Sequence, residues 1–483
     1  MGSYLLPEGV GVDGVASALA PRLDVRGGAT STASWTFYDT FDGRLHRAGV
    51  TLRHDAGRLV LVERTSDAER AAAELATPPK HLFARDLPAG PLRDALAPIV
   101  EMRALTPVAR VRARTRALAV LNADEKTVVR LTAETANGLR ARIHATAVRG
   151  YDRELERVRE VLEGELALPA TAGPIVDDAI RATGAPPAGT SSKLDLRLSA
   201  IQPAGVAAEI VLARTFAIVQ ANFPGTLADV DSEFLHDLRV AVRRTRSLLR
   251  QLKAVFPSEP LQALRAELRR LQQITGETRD LDVQLLELDG DGALAPLHAV
   301  LVERRARAFG AMSRALRAKQ TSQALQDWAA LKALPQTDPI GELAGARIAK
   351  VYRSMVRDGS QIGDDTEAEA LHELRKTGKE LRYLLEFFGG LFEPELVKPM
   401  IKALKSLQDV LGRFQDREVQ AATLRALVDD VGARDGGGEA LLAMGALVAS
   451  LGEDQARARA EFAAEFAAFA APERRAAVKE AFA

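Results

Sequence analysis

The chain has 483 residues and no cysteine, enough for about two to four separately folded domains, none of them held by disulfides or thiolate-bound zinc. Lysine plus arginine equals aspartate plus glutamate at 65 each, so any attraction for an anion must come from how charge is arranged. The start, Met1-Gly2-Ser3-Tyr4-Leu5-Leu6, has no basic end before an apolar core, and no apolar run approaches the roughly 18 residues of a membrane span, which together predict a cytoplasmic protein without a membrane partner.

Residues 1–168 read as short strands at 35–38, 50–53, 59–63, 109–121, 127–134 and 140–148, with a helix near 91–100. Alternation in Val108-Ala109-Arg110-Val111-Arg112-Ala113-Arg114 puts every arginine of that strand on one face. An antiparallel sheet or barrel follows, charged on one side and packed on the other. Residues 169–204 hold Pro169, Pro174, Pro186, Pro187, Gly189 and Pro203, and read as a linker around one short helix at 174–183.

From 205 to 470 the pattern is helical, with helices expected near 205–222, 231–256, 260–288 and 293–333, then 341–358, 366–388, 394–431 and 439–470. Asp231 and Thr366 can cap the second helix of each half, Thr366 with Glu369 as a capping box, and Pro260 suits a first helical position. The two halves, about 205–333 and 341–470, repeat at an offset of 136 residues. That offset carries His236 onto His372, Arg239 onto Arg375, Arg243 onto Lys379, Arg246 onto Arg382 and Arg269 onto Lys405. It also superposes Leu271-Gln272, Gly276 and Asp280 on Leu407-Gln408, Gly412 and Asp416.

On a helix, positions i, i+3, i+7 and i+10 form a stripe roughly 80° wide and about 15 Å long, so each copy presents a basic edge suited to a polyanion. A solvated face laced with i,i+4 ion pairs is the plainer account of any basic helix. Here it is disfavoured, because Asp237 is the one acid between Ser232 and Pro257 after the opening turn, and because the stripe occurs twice. Histidine at the head of each stripe can donate to phosphate oxygens. His46, His54, His81, His144 and His298 form no pair at ligand spacing, and no metal site is expected. Asp280 with Asp282, and Asp416 with Glu418, stand two apart and point about 200° from each other, which suits no shared metal or acid–base work.

His-Asp-Leu-Arg-Val-x-x-Arg-Arg-x-Arg at 236–246 and His-Glu-Leu-Arg-Lys-x-x-Lys-x-Leu-Arg-Tyr at 372–383, with the Leu-Gln-x-x-x-Gly-x-x-x-Asp segments at 271–280 and 407–416, resemble the CHAD family over about 205–470. The resemblance implies two four-helix bundles around a basic central surface that binds inorganic polyphosphate, with association to polyphosphate granules. By position it implicates His236, Arg239, Arg243, Arg246, Arg269, His372, Arg375, Lys379, Arg382 and Lys405. Arg250 falls opposite Glu386 and carries no such implication.

Tyr38-Asp39-Thr40-Phe41-Asp42-Gly43-Arg44-Leu45-His46-Arg47-Ala48-Gly49-Val50-Thr51-Leu52-Arg53 resembles a strand motif of the CYTH, or triphosphate-tunnel, family over about 1–168. That resemblance implies a cationic tunnel with carboxylates that hold a divalent metal. The family's opening Glu-x-Glu-x-Lys is replaced by Gly2-Ser3-Tyr4-Leu5-Leu6-Pro7, and its next lysine by Glu63-Arg64. Arg53, Arg112, Arg114 and Arg116 could still line a tunnel and Glu134 face it, or the arginines could simply be exposed on a sheet.

The expectation is an α+β multidomain protein: a degenerate β tunnel-like domain at 1–168, a linker at 169–204, and an all-α domain of two duplicated four-helix bundles at 205–470. It binds polyphosphate without catalysis, metal or cofactor. Nucleic acid is not expected, because the stripes carry little aromatic surface for base stacking. Oligomeric state stays open. The alternatives are a metal-dependent triphosphatase with a substrate-recruiting helical domain, and a scaffold for an acidic protein.

Overall fold

The computed structural model describes residues 2–136, 138–171, 173–288, 290–335, 338–363 and 365–482. The chain is α+β and divides into two compact units, 1–191 and 192–483.

The first unit is built on one antiparallel sheet of eight strands: β1 (Gly2–Leu5), β2 (Val25–Thr40), β3 (Val50–Asp55), β4 (Arg58–Glu63), β5 (Glu69–Glu74), β6 (Leu105–Leu121), β7 (Thr127–Ala136) and β8 (Arg142–Ala147). Their order is β1-β8-β7-β6-β2-β3-β4-β5. Strands β1 and β5 were absent from the sequence reading: β1 is four residues long, and β5, Glu-Arg-Ala-Ala-Ala-Glu, lacks β-branched residues. These two are the edges of the sheet, so among the described strands hydrogen bonds do not close the expected tunnel.

The period-2 pattern of β6 decides its faces. Val111 and Ala113 are buried while Arg110, Arg112 and Arg114 are exposed. Arg112 and Arg114 therefore do not line an interior, and Arg116 turns to the carbonyl oxygens of Gly28 and Asp13. Four short helices border the sheet: α1 (Val15–Leu19), α2 (Arg44–Arg47), α3 (Pro91–Val100) and α4 (Asp152–Glu160). In the β2–β3 connection Asp39 accepts from the backbone N–H groups of Thr40, Leu45 and His46 at 2.7–2.9 Å, which fixes the turn. Gly43 has φ 70°, and a Cβ there would lie 2.1 Å from the Ala188 carbonyl oxygen, so both backbone and space demand glycine.

The expected linker is not a free spacer. Its helix α5 (Ile175–Ala182) presses Ile175, Val176, Ala179 and Ile180 onto Phe37, Ala109 and Val111 of the sheet. Leu194, Leu196 and Leu198 pack on the core of the second unit.

The second unit is helical: α6 (Ala204–Leu227), α7 (Ser232–Gln251), α8 (Ser258–Ile274), α9 (Gly276–Glu287), α10 (Ala295–Leu316), α11 (Lys319–Ala330), α12 (Ile340–Gly359), α13 (Ala368–Phe388), α14 (Pro394–Ala426), α15 (Val428–Gly432), α16 (Gly437–Phe469) and α17 (Pro472–Ala481). The starts of α6, α7 and α8 recur at α12, α13 and α14 with the same offset of 136. Expected single helices at 260–288 and 293–333 are each broken, at Thr275 and at Arg317-Ala318. The two halves do not keep separate cores. One apolar cluster joins Leu238, Leu248 and Leu268 of the first half to Leu374, Leu384 and Leu404 of the second, and another joins Leu301 to Leu427.

Asp231 caps α7 as expected, accepting from Glu233 and Phe234 N–H at 2.9 and 3.2 Å. Thr366 does not cap α13. Its hydroxyl accepts from Gly363 N–H, the helix starts one residue after Glu367, and no capping box forms. Pro260 is the third residue of α8 rather than the first. Helix α6 also corrects the hydropathy reading: by length and composition it could cross a membrane, with mean hydropathy 1.5 over 18 residues. Half of that window is buried within the unit, Val211 and Ile218 among it.

Candidate functional site

Helices α7 and α13 meet directly and run antiparallel, because Arg250 of α7 pairs with Glu380 of α13 while Arg244 pairs with Glu386, six residues back on one helix and six forward on the other. The 136-residue repeat exchanges these two ion pairs: Arg250–Glu380 maps onto Glu386–Arg244 with its polarity reversed. The bridges hold the two basic stripes side by side.

Beside that junction is a cavity of about 200 Å3 walled by Arg243, Arg246, Arg250, Arg265, Arg269, Lys376 and Lys379, together with Ser247, Glu380 and Tyr383. Among the described residues, Arg243, Arg246, Arg265, Arg269 and Lys379 make no ion pair. Arg243 Nε and Ser247 Oγ are buried without a hydrogen-bond partner. The crowding shows in proton affinity. Burial, then the charges of Arg375 and Arg243, push the Lys379 ammonium down to about 8. Burial followed by Arg269 and Arg265 lowers Arg246, and burial followed by Arg265 and Arg246 lowers Arg250. Packing at these positions is set by the buried side of the same helices, Leu238, Val242, Thr245 and Leu249.

Of the residues named from sequence, the cavity brings together Arg243, Arg246, Arg269 and Lys379. The other six stand outside its wall. Arg239 donates to the Gln272 carbonyl oxygen and Thr275 Oγ1 at 2.8 Å, and burial ahead of its neighbour Arg243 lowers it to about 10. Arg375 is paired with Asp416 at 2.9 Å, and Arg382 with Glu386 at 2.9 Å, the i,i+4 pairing that the plainer account of a basic helix requires. His372 bonds Gln415 through Nδ1 at 2.6 Å, while His236 is half-buried on α7. Lys405 is exposed on α14. Sequence reading missed Arg265 and Lys376, and set aside Arg250, which stands on the cavity wall. Arg265 was signalled by its i−4 position to Arg269, on the same face of α8.

Asp280 sits among Arg239, Arg279 and Arg243, and burial raises its carboxyl despite them, with Asp416 adding to the rise. Asp282 is buried against Arg305 at 2.8 Å, so the two acids do separate jobs.

The first unit offers a different polar concavity. A cavity of about 540 Å3 is lined by Ser3, Arg53, Arg64, Glu134 and His144 with residues around Ile175. Its cations are already matched. Arg64 pairs with Asp177 of α5 at 2.6 Å, Arg53 with Asp67 at 2.9 Å, and the buried Arg142 beside it with Asp178. Glu134 faces the cavity and accepts from His144 Nε2 at 2.8 Å, while Ser3 Oγ meets His144 Nδ1 at 2.8 Å. Among the described residues no group of three or more histidines and carboxylates could hold a metal.

A profile of the CHAD domain family matches residues 210–425. Two uncharacterized proteins of Mycobacterium tuberculosis, from strains CDC 1551 and H37Rv, are each 28% identical over 266 residues, which is 49% of this chain and 50% of theirs. The chain thus spans about half the length of the curated relatives it matches. The crystal structure of the CHAD domain from the plant Ricinus communis aligns with a TM-score of 0.49 at 26% identity, covering 57% of this chain and 94% of that one. PptA from Streptomyces chartreusis aligns with a TM-score of 0.44 at 17% identity, covering 55% and 99%.

Proposed function

Residues 210–425 are a CHAD domain, and from that premise we propose that the helical unit binds inorganic polyphosphate along α7, α8 and α13 and associates with polyphosphate granules in the cytoplasm. The observation that carries the reading is the group of five cations, Arg243, Arg246, Arg265, Arg269 and Lys379, gathered on one cavity wall without an ion pair among the described residues, while the wall's carboxylate, Glu380, is taken by Arg250. Like charges held together repel, and a chain of phosphoryl groups relieves that repulsion while making charge-assisted hydrogen bonds to guanidinium forks. Packing on a shared core holds the bearing helices in place, so little ordering is left to binding.

A bare phosphate chain suits this wall better than nucleic acid does, because Tyr383 is its one aromatic residue among those described. The binding is non-catalytic. In the first unit the inward arginines are occupied by carboxylates of the same unit, which supports that reading. The test is a binding isotherm of the full chain with long polyphosphate, comparing wild type with Arg243→Glu combined with Lys379→Glu. Binding should fall at least about 100-fold as two attractive contacts turn repulsive, with helicity by circular dichroism unchanged. Undiminished affinity refutes the assigned surface. Phosphate release from tripolyphosphate with magnesium or manganese should be absent, and release above a no-protein control would refute the non-catalytic part.

A further inference from the structure

The repeat that produces the two stripes does not produce two equal ends. Arg243 and Lys379 exchange with each other under the 136-residue offset and mark the middle of the surface. Apart from that pair, the cavity wall holds five cations and one carboxylate. At the offset-related positions stand three cations, one carboxylate and two apolar residues, with Arg265 replaced by Ile401 and Lys376 by Val240. Pairing widens the gap. Arg382, the counterpart of Arg246, is neutralised by Glu386, whereas Arg246 makes no ion pair among the described residues. One end of the surface is therefore a charge-dense pocket of net charge +4, and the other carries half of that, +2.

Linear polyphosphate has a matching asymmetry. An inner phosphoryl unit has one ionised oxygen, while a terminal unit has a second whose pKa, taken from a phosphomonoester, is about 6, giving it about −1.5 to −2 charge at pH 7. We propose that the cavity at Arg246, Arg265 and Arg269 is a terminus pocket that takes the chain's end phosphoryl group. The chain then runs past Arg243 and Lys379 toward Arg382 and Lys405 in one direction. Tyr383, on the cavity wall, supplies a neutral hydroxyl donor there. This rests on the polyphosphate reading above and adds to it a polarity and a preference for free ends.

The experiment uses the full chain and two polymers of equal length, one with free termini and one with both termini converted to neutral-capped phosphoramidates. Capping should weaken binding to the wild type by about tenfold, the cost of one charge and one guanidinium contact. Arg265→Ile, which installs the residue of the other repeat, should weaken binding of both polymers and bind the two equally, because the contact that distinguishes a free end is gone. Lys405→Ala, at the opposite end, should keep the wild-type ratio. Equal affinity of the wild type for capped and uncapped polymer overturns the terminus pocket and leaves polyphosphate binding standing. Failure of both polymers to bind overturns the two together. Arg265→Ile with the wild-type ratio places the terminus elsewhere and refutes this pocket.

Discussion

Two regions of this molecule gather arginine, and they treat it in opposite ways. On the concave side of the sheet, Arg64, Arg142 and Arg53 are each met by a carboxylate, two of them supplied by α5. On the wall formed by α7, α8 and α13, five cations make no ion pair among the described residues, and the wall's one carboxylate, Glu380, is held by Arg250. A paired buried charge is a structural element, because removing either partner strands the other. An unpaired cluster costs the fold something and is tolerated where a ligand completes it. The same residue type is thus cement in one unit and a binding surface in the other, and the deciding quantity is the distance to the nearest carboxylate.

Substitutions that reverse these roles test the contrast. The largest effect is expected from Asp177→Asn, which leaves the largely buried Arg64 unpaired and should destabilise the sheet unit by about 3–5 kcal/mol. Urea unfolding of the full chain followed by tryptophan emission, with a Trp328→Phe background to isolate Trp35, would read it, and an unchanged midpoint would remove the distinction. Next, Arg246→Gln or Arg269→Gln should each weaken polyphosphate binding about tenfold. Neither should destabilise the helical unit, which gains a few tenths of a kcal/mol as repulsion falls. A substantial drop in its melting temperature would show those cations to be cement too.

A smaller effect concerns pH. The Lys379 ammonium, held down to about 8 in the free protein, is stabilised by a bound polyanion, so binding takes up a proton wherever the free lysine is neutral. Affinity should therefore decline as pH rises through about 8, by up to about tenfold, the worth of one charged contact. Lys379→Met should flatten the profile, and calorimetry in two buffers of different ionisation heat would detect the proton directly. For the unliganded fold the sign is opposite: a lysine whose affinity for protons is depressed by folding favours the folded state more as pH rises from about 8 toward its ordinary value. The smallest effect is at a helix end. Asp231→Ala should cost about 1 kcal/mol by removing the two-donor cap of α7, without changing the ratio of binding at low and high salt.

Much of the helical unit was legible because its signals are local. Apolar spacing marked the helices, and a constant offset marked the duplication. Thr366 misled because a hydroxyl near a helix start competes for several backbone donors, and here the donor of Gly363 wins. The two histidines headed both motifs, yet His372 is engaged by Gln415, 43 residues away, a partner that no helical spacing reveals. Arg265 reaches the cavity from a neighbouring helix, so its part in the wall follows from how α8 packs on α7. In the sheet unit, strand alternation was readable, but the descent of α5 onto the concave face was not, since Pro and Gly around it look like those of any linker.

By itself the amino-acid order determined which segments coil, which extend, and that two basic helices are copies of one another, since these follow from periodicities of a few residues and from identity at a fixed separation. Tertiary structure alone decided which cations stay charged and open. Arg375 lies 41 residues from Asp416 and Arg64 lies 113 from Asp177, so each pairing is set by folding over distances at which sequence carries no geometric information. Charge is written in the sequence, whereas neutralisation depends inversely on separation in space, and only the packed core sets that separation.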